Sequence, residues 1–195
     1  TGDTAIHPAA DTGGEYALID AEEGLYVYSF GLELGSVAAG DTHTVGAWAW
    51  RELEDQRHVA NAVFHFRPDG EAVVETREIV ETQSCNSCHN PLKTHDGLRR
   101  EVDLCVTCHT AGIVDPDTGN SVDFRAMIHK IHRGHALPSV EAGAPYQLIG
   151  DEGTEDYSTV AFPQPLQNCV TCHTGADASV WKDRPGALGC ASCHD

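Results

Sequence analysis

All eight cysteines of the chain, with four of its twelve histidines, lie in four copies of one pattern, Cys-x-x-Cys-His. Two thiols one helical turn apart can add to the two vinyl groups of one porphyrin, while the adjacent imidazole reaches its iron. The pattern is therefore typical of c-type haem attachment, and it predicts four covalently bound haem c groups. The predicted attachment cysteines are Cys85, Cys88, Cys105, Cys108, Cys169, Cys172, Cys190 and Cys193, and the predicted proximal ligands are His89, His109, His173 and His194.

Zinc is the main alternative for the cysteines, because four Cys-x-x-Cys pairs can build two four-thiolate sites. Zinc does not explain why a histidine follows every second cysteine, nor why eight further histidines are present. A dithiol redox motif is disfavoured because no thioredoxin-like alternation of strand and helix surrounds the pairs. No cysteine remains outside the copies for a disulfide. These points favour haem.

Closed haem sites need a second axial ligand each, so four sites need four distal histidines. His129 and His132 are three residues apart within a predicted helix over residues 124–133, so they lie on one face and can serve two adjacent haems. His95 lies six residues after the first proximal histidine, too close to face the same iron. We therefore expect His95 to be the distal ligand of another haem.

The fourth distal ligand has three candidate sources. His135 follows Gly134, where the helix is predicted to end, so it can turn toward a third haem or cap the helix C-terminus. His65 lies on a predicted strand that leads toward the first motif, and a neighbouring subunit is the third source. We predict His135. The remaining histidines are assigned to surface or sheet positions: His7, His43 and His58.

Methionine is nearly excluded as an axial ligand, because the only one is Met127. It lies two residues before His129, where we expect it to pack against porphyrin. All four sites are therefore predicted to be bis-His. Since Met/His ligation raises the reduction potential, these haems are expected to be low-potential carriers.

The composition limits the partners and the compartment. A formal charge of −18 makes nucleic acid an improbable partner, because phosphate binding needs a basic surface. No apolar run approaches the roughly 20 residues of a transmembrane segment. The chain opens at Thr1 without a leader, so we expect a mature or trimmed sequence. Covalent haem attachment takes place outside the cytoplasmic membrane, which predicts an exported protein.

Two regions of different character divide the chain. Residues 1–82 contain no cysteine and are predicted to form a small antiparallel β domain, as a sheet, a sandwich or part of a barrel. Its predicted strands lie in residues 24–34, 42–52, 59–66 and 71–80. A single four-stranded sheet has one face to cover, so we expect it to pack on the haem region or on another copy.

Residues 83–195 are predicted to form a tetrahaem cytochrome domain, mostly irregular, with short helices at each motif and one longer helix. The first cysteines of the motifs lie 20, 64 and 21 residues apart, which gives two close pairs around the segment with the distal histidines. Haem is expected to supply most of the apolar core, so the apo form should be largely unfolded.

A calcium site is a weaker hypothesis for Asp115-Pro-Asp117-Thr-Gly119-Asn120. Oxygen ligands recur there at alternating positions, as calcium loops require. The same residues are also ordinary turn formers, which is the favoured interpretation.

The order of these motifs resembles the outer-surface multihaem cytochromes of metal-reducing bacteria, the OmcA/MtrC family. The resemblance covers about two thirds of the chain and is carried by Pro68-Asp69-Gly70, the four Cys-x-x-Cys-His copies, His95-Asp96-Gly97, Met127-Ile-His-Lys-Ile-His-Arg-Gly134, Phe162-Pro163 and Trp181. It implies electron transfer from the cell to minerals, soluble metals, flavins or electrodes. It also implies an extracellular or outer cell surface location and other multihaem cytochromes as partners.

The size of the chain departs from this family. Its members usually carry about ten haems across alternating β and haem domains, whereas this sequence resembles the end of one β domain and most of one haem domain. We expect either a fragment or a compact tetrahaem protein. The second case allows self-association into a cytochrome filament, in which the next subunit supplies the missing contacts.

Two other functions compete with electron transfer. A reductase of nitrogen or sulfur oxyanions needs an open haem site, often marked by an attachment motif with Lys in place of His, and no such variant is present. The third hypothesis is a haem-bearing adhesin or mineral-binding module, in which the β region would be the functional module. We therefore predict an electron-transfer protein rather than an enzyme.

Overall fold

The computed structural model describes residues 8–74 and 76–195, so His7 lies outside the described residues. Four strands come first: β1 (Glu15–Asp20), β2 (Leu25–Ser29), β3 (His43–Leu53) and β4 (Gln56–Phe66). The rest of the chain contains α1 (Thr82–Asn86), α2 (Val102–Cys108), α3 (Phe124–Arg133), α4 (Pro138–Glu141), β5 (Gln147–Gly150), β6 (Gly153–Asp156), α5 (Val180–Asp183) and α6 (Ala187–Ala191). Two 3₁₀ turns, Gly134–Ala136 and Cys169–Thr171, complete the described elements.

The strands pair as three separate antiparallel hairpins, β1–β2, β3–β4 and β5–β6. In the longest, β3 and β4 are joined at Glu54 and Asp55, which both have positive φ, as a tight hairpin turn requires. Trp48 and Asn61 face each other across this hairpin. The expected small antiparallel β structure is confirmed, but as separate hairpins rather than one four-stranded sheet.

The predicted strand over residues 71–80 is wrong for the residues described there. This stretch instead lies beside the residues that come after the third motif, because the Asp177 amide donates a hydrogen bond to the Glu78 carbonyl at 3.0 Å. The sequence analysis did not predict three of the strands, namely β1, β5 and β6. Each of these strands is short. β6 is also entirely exposed, so the sequence shows no alternation of apolar residues that would predict it.

The β3–β4 hairpin packs on the haem region, as expected for a sheet with a face to cover. Gly46 of β3 lies so close to α2 that a Cβ added there would meet Leu104 Cδ1 at 2.5 Å. Leu104 is 2% exposed. The absence of a side chain at Gly46 therefore sets how closely the hairpin approaches the second motif.

Side chains, not only cofactor, build a core between the second and third motifs. Its members are Ile113, Val122, Met127, Leu137, Tyr146 and Leu148. The middle segment thus has a side-chain core of its own, while the expectation that haem supplies most of the apolar core of residues 83–195 stays a prediction. The structure places Met127 in this cluster of side chains. One member, Leu148, lies on the β5–β6 hairpin. Because the sequence analysis did not predict this hairpin, it did not predict the cluster either.

The predicted helix over residues 124–133 is confirmed as α3. Asp123 caps its N-terminus by accepting a hydrogen bond from the Arg125 amide at 3.0 Å. Gly134 ends it with a φ of 44°, a left-handed conformation that glycine adopts without a steric cost. None of the helices described is long and apolar enough to cross a membrane.

Candidate haem-binding centre

Three of the four motifs share one local geometry. The amide of the motif histidine donates to the carbonyl of the first cysteine in each: His89 to Cys85 at 2.8 Å, His109 to Cys105 at 3.0 Å and His173 to Cys169 at 3.0 Å. This single turn brings the first thiol and the imidazole to the same side of the backbone. In the fourth motif, His194 donates to Ala191 instead, at 2.9 Å.

The cysteines are all free thiols, without a disulfide among them. Cys105 is the most buried, and burial raises the pKa of its thiol to about 11. Within the described residues, no group of three or more His, Cys, Asp or Glu side chains is arranged to hold a metal ion. This arrangement gives no support to the four-thiolate zinc sites considered above.

Three predicted proximal histidines each lie beside a histidine from outside the motifs, with one ring pair edge-on and two tilted. The ring centroids of His89 and His132 are 6.1 Å apart, those of His109 and His95 are 6.0 Å apart, and those of His173 and His129 are 6.3 Å apart. Two imidazoles that bind one iron from opposite sides, each through a bond of about 2 Å, have centroids about 6 Å apart. The separations in the structure therefore fit bis-His ligation of haem.

The ring pairs place each of three candidate distal histidines beside one motif. His95 lies beside the second motif, not the first, as its short spacing from the first motif predicted. His129 and His132 lie on one face of α3 and reach two different motifs. One helix thus carries the candidate distal ligands of the first and third sites.

Main-chain carbonyls orient several of these rings. The Nδ1 atoms of His109, His132 and His135 lie 2.9, 2.8 and 2.9 Å from the carbonyls of Val122, Ile128 and Val160. Carbonyls only accept hydrogen bonds, so Nδ1 is the protonated nitrogen in each ring. The lone pair is then on Nε2, the atom available to a metal.

His129 and His173 are both partly buried. Burial lowers the pKa of both, so the neutral imidazole, which is the form that binds iron, is favoured. Nδ1 of each ring is buried and makes no hydrogen bond. The nearby carbonyls of Arg125 and Ile79 partly offset the lowering of the pKa, although neither reaches hydrogen-bond geometry.

The fourth site is less complete than the other three. No ring pair of this kind joins His194 to another histidine within the described part of the chain. His135 lies in the turn after α3, whereas His65 lies on β4, with its Nδ1 2.9 Å from the Thr44 hydroxyl. The assignment of His43 and His58 to sheet positions is confirmed, on β3 and β4.

The motifs are linked to each other by short contacts. The Thr82 hydroxyl of α1 accepts a hydrogen bond from the Val102 amide of α2 at 2.9 Å, which joins the first and second motifs. The hydroxyls of Ser84 and Thr174 are hydrogen-bonded and join the first and third. The fourth motif contacts α3, where a Cβ at Gly189 would lie 3.7 Å from His129.

The Asp115 loop is a structural turn. The Asp115 carboxylate accepts hydrogen bonds from the amides of Asp117, Thr118 and Ile149, at 2.8, 3.2 and 2.6 Å. It is 1% exposed. Both oxygens are thus occupied by the main chain of the loop and of β5, in agreement with the turn interpretation rather than with calcium.

Attachment motifs, free cysteines and histidine pairs together define a multihaem c-type cytochrome. The chain belongs to the family of outer membrane cytochromes described as MtrC/MtrF-like, domains II/IV, which matches residues 77–195. This confirms the resemblance to the OmcA/MtrC cytochromes.

Two relatives extend the match over the β region. The chain is 30% identical over 208 residues to the multihaem cytochrome MtrC of Shewanella baltica (strain OS185), an alignment that covers 100% of this chain and 31% of that protein. The crystal structure of the outer membrane decahaem cytochrome OmcA matches with a TM-score of 0.74 and 32% identity. That match covers 95% of this chain and 29% of OmcA. The chain thus spans about a third of the length of both relatives.

Proposed function

We propose that this chain is a tetrahaem electron-transfer unit of an outer-surface cytochrome. The observation that carries the proposal is the set of three histidine pairs, each of which joins a motif histidine to one outside the motifs with ring centroids 6.0 to 6.3 Å apart. When bound, haem supplies one-electron redox chemistry. The roles of the protein are to attach it, close both axial positions and exclude water.

The proposed ligand sets follow from these pairs. His89 and His132 serve the first site, His109 and His95 the second, and His173 and His129 the third. We assign His135 to His194 at the fourth site. All-histidine ligation predicts low potentials, and closed axial positions leave no iron for substrate. A reductase of nitrogen or sulfur oxyanions is therefore not favoured, in keeping with the relatives that the chain matches.

The contacts between motifs support an order for the relay. The hydrogen bonds Thr82–Val102 and Ser84–Thr174 make the first motif the neighbour of both the second and the third. The fourth lies against α3, beside His129 of the third site. We propose that electrons pass along the sites in the order second, first, third, fourth, or the reverse.

The setting follows from the relatives. We propose an extracellular or outer cell surface location, with other multihaem cytochromes and external acceptors as partners, because the relatives are an MtrC cytochrome and an outer membrane decahaem cytochrome. We also propose the division into a β region, 1–82, and a haem region, 83–195. Self-association into a filament is tested by electron microscopy, in which a short axial repeat supports it and separate particles oppose it.

The test of the central proposal is the spin state of the purified holoprotein. Four haems per chain by mass, with only low-spin signals in electron paramagnetic resonance, support a closed tetrahaem carrier. A haem count below four, or a high-spin signal from the unmodified protein, contradicts it. Reduction potentials below those of Met/His cytochromes are expected for every site.

A further inference from the structure

The loop that presents His95 has a conformation that its own sequence does not favour. His95 and Asp96 have φ values of 50° and 55°, and Gly97 follows at 75°. Left-handed backbone is unfavourable for residues other than glycine, so two such residues in succession need support from their surroundings. The loop is closed by the Thr94 and Arg99 amides, each of which donates to the carbonyl of the other residue, at 3.0 and 3.2 Å.

Outside support comes from the β3–β4 hairpin. The Asn61 side chain donates to the Leu98 carbonyl at 2.8 Å and accepts from the Arg100 amide at 2.7 Å. The amide side chain thus hydrogen-bonds both main-chain groups that flank Arg99. Asn61 is part-buried, which shields these two bonds from water and strengthens them.

Two further contacts reach the same loop. The Arg57 guanidinium donates to the Asp96 carboxylate at 2.8 Å and to its carbonyl at 3.3 Å. The Arg99 guanidinium lies over the Trp48 ring, 4.5 Å from the centroid. Since Trp48 faces Asn61 across the hairpin, all these contacts reach the loop from the same pair of strands.

We propose that Asn61 and Arg57 are positioning residues for His95, so that the β region sets the axial ligation of the second haem site. The inference rests on the proposed function, in which His95 is the distal ligand opposite His109. Neither residue touches that site. Their contacts hold Asp96, Leu98 and Arg100 on the side of the loop facing the hairpin, and so position the backbone that carries His95. The His95 ring itself also lies 3.5 Å, at Nδ1, from the Asp151 carboxylate.

Carbon monoxide binding to the reduced four-haem protein tests the inference, because carbon monoxide competes with a distal histidine for ferrous haem. His95→Ala should bind about one carbon monoxide per chain, which measures the second site alone. Asn61→Ala removes two hydrogen bonds, so the detached state of His95 should become about tenfold more populated and the apparent affinity for carbon monoxide should rise by that factor. Arg57→Ala, which removes a more exposed contact, should give a smaller rise.

A matched control on the same hairpin is Thr44→Ala, which removes the contact with His65 and nothing that reaches the loop. It should leave carbon monoxide binding unchanged. Hydrogen exchange gives a second readout, since the Arg100 amide should lose protection in Asn61→Ala and keep it in Thr44→Ala. Asn61→Asp retains the acceptor for Arg100 and should be intermediate.

The outcomes separate the two proposals. If His95→Ala binds no carbon monoxide, the ligation assigned to the second site is wrong, and the positioning role fails with it. If His95→Ala binds carbon monoxide but Asn61→Ala and Arg57→Ala behave like Thr44→Ala, the ligation stands and the positioning role is overturned.

Discussion

Lys130 and Asp195 form an ion pair at 2.7 Å that joins α3 to the residue after the fourth motif. Their side chains are only 17% and 15% exposed. The Asp195 carboxylate also accepts hydrogen bonds from the amide and hydroxyl of Ser139, at 3.1 and 2.7 Å. The helix that carries two candidate distal ligands is therefore fastened to the end of the chain segment that carries His194.

Replacing Lys130 with Gln should weaken this attachment. The change leaves a mostly buried carboxylate without its cation, so the free energy of unfolding should fall by about 2 kcal/mol. Denaturant unfolding of the holoprotein measures it. Lys182→Gln, at an exposed position on α5, is the control and should change the free energy by less than about 0.5 kcal/mol. Equal effects of the two changes would show that the pair contributes nothing specific.

Asp115→Asn should destabilise the middle segment. The substitution places an amide NH₂ group on one side of a site where every partner is an N–H donor, so we expect a loss of about 2 kcal/mol. Asp117→Asn changes an exposed carboxylate two residues away and should be nearly neutral. If calcium at millimolar concentration raised the stability of the wild type and not of Asp115→Asn, the turn interpretation would be wrong.

The same carboxylate predicts a dependence of stability on pH. Burial opposes its ionisation, but the amides of Ile149, Asp117 and Thr118 outweigh burial and lower the pKa of Asp115. A group with a lowered pKa in the folded state stabilises the protein above its unfolded pKa of about 3.9 and loses that contribution as pH falls through the folded value. Unfolding measured between about pH 5 and pH 2 should therefore be less steeply pH-dependent in Asp115→Asn than in the wild type.

The elements that could be predicted from the sequence are those specified by residues close together in the chain. The bounds of α3 were readable because Asp123 caps one end and Gly134 terminates the other. The strands β3 and β4 were readable from alternation of apolar and aromatic residues. The predicted attachment cysteines and proximal histidines form five-residue patterns, so they could be named without a fold.

The features that could not be predicted from the sequence depend on contacts between residues far apart in the chain. Which motif faces His95 or His132 is decided by how α3 and the β3–β4 hairpin pack, and the spacing of motifs gives only chain separation. Asn61 lies 37 residues from Leu98, and nothing near Asn61 indicates that contact. The core around Leu148 was missed for the same reason, because β5 is four residues long and its pairing with β6 is visible only in the fold.

His132→Met should raise the reduction potential of one haem. A thioether in place of the second imidazole favours the reduced iron, so we expect one of four potentials to rise by on the order of 0.1 V while three stay unchanged. A redox titration followed by optical spectroscopy resolves the change. His58→Met, on the exposed face of β4, is the matched control. If all four potentials moved together, or none did, His132 would not be the distal ligand of the first site.

His135→Ala and His65→Ala distinguish the candidate ligands of the fourth site. His135 follows α3, the helix that contacts α6 and the fourth motif, and its Nδ1–H is held by the Val160 carbonyl, which leaves Nε2 available. His65 is bonded to Thr44 on the hairpin that packs against α2, on the side of the second motif. We therefore expect His135→Ala to produce one high-spin haem that binds carbon monoxide when reduced, and His65→Ala to remain fully low-spin. The reverse result would assign the site to His65.

Low-spin spectra from both variants would mean that the ligand comes from another part of the chain or from a neighbouring molecule. Dilution of the protein separates these two sources, because it should open the site only if a neighbouring molecule supplies the ligand.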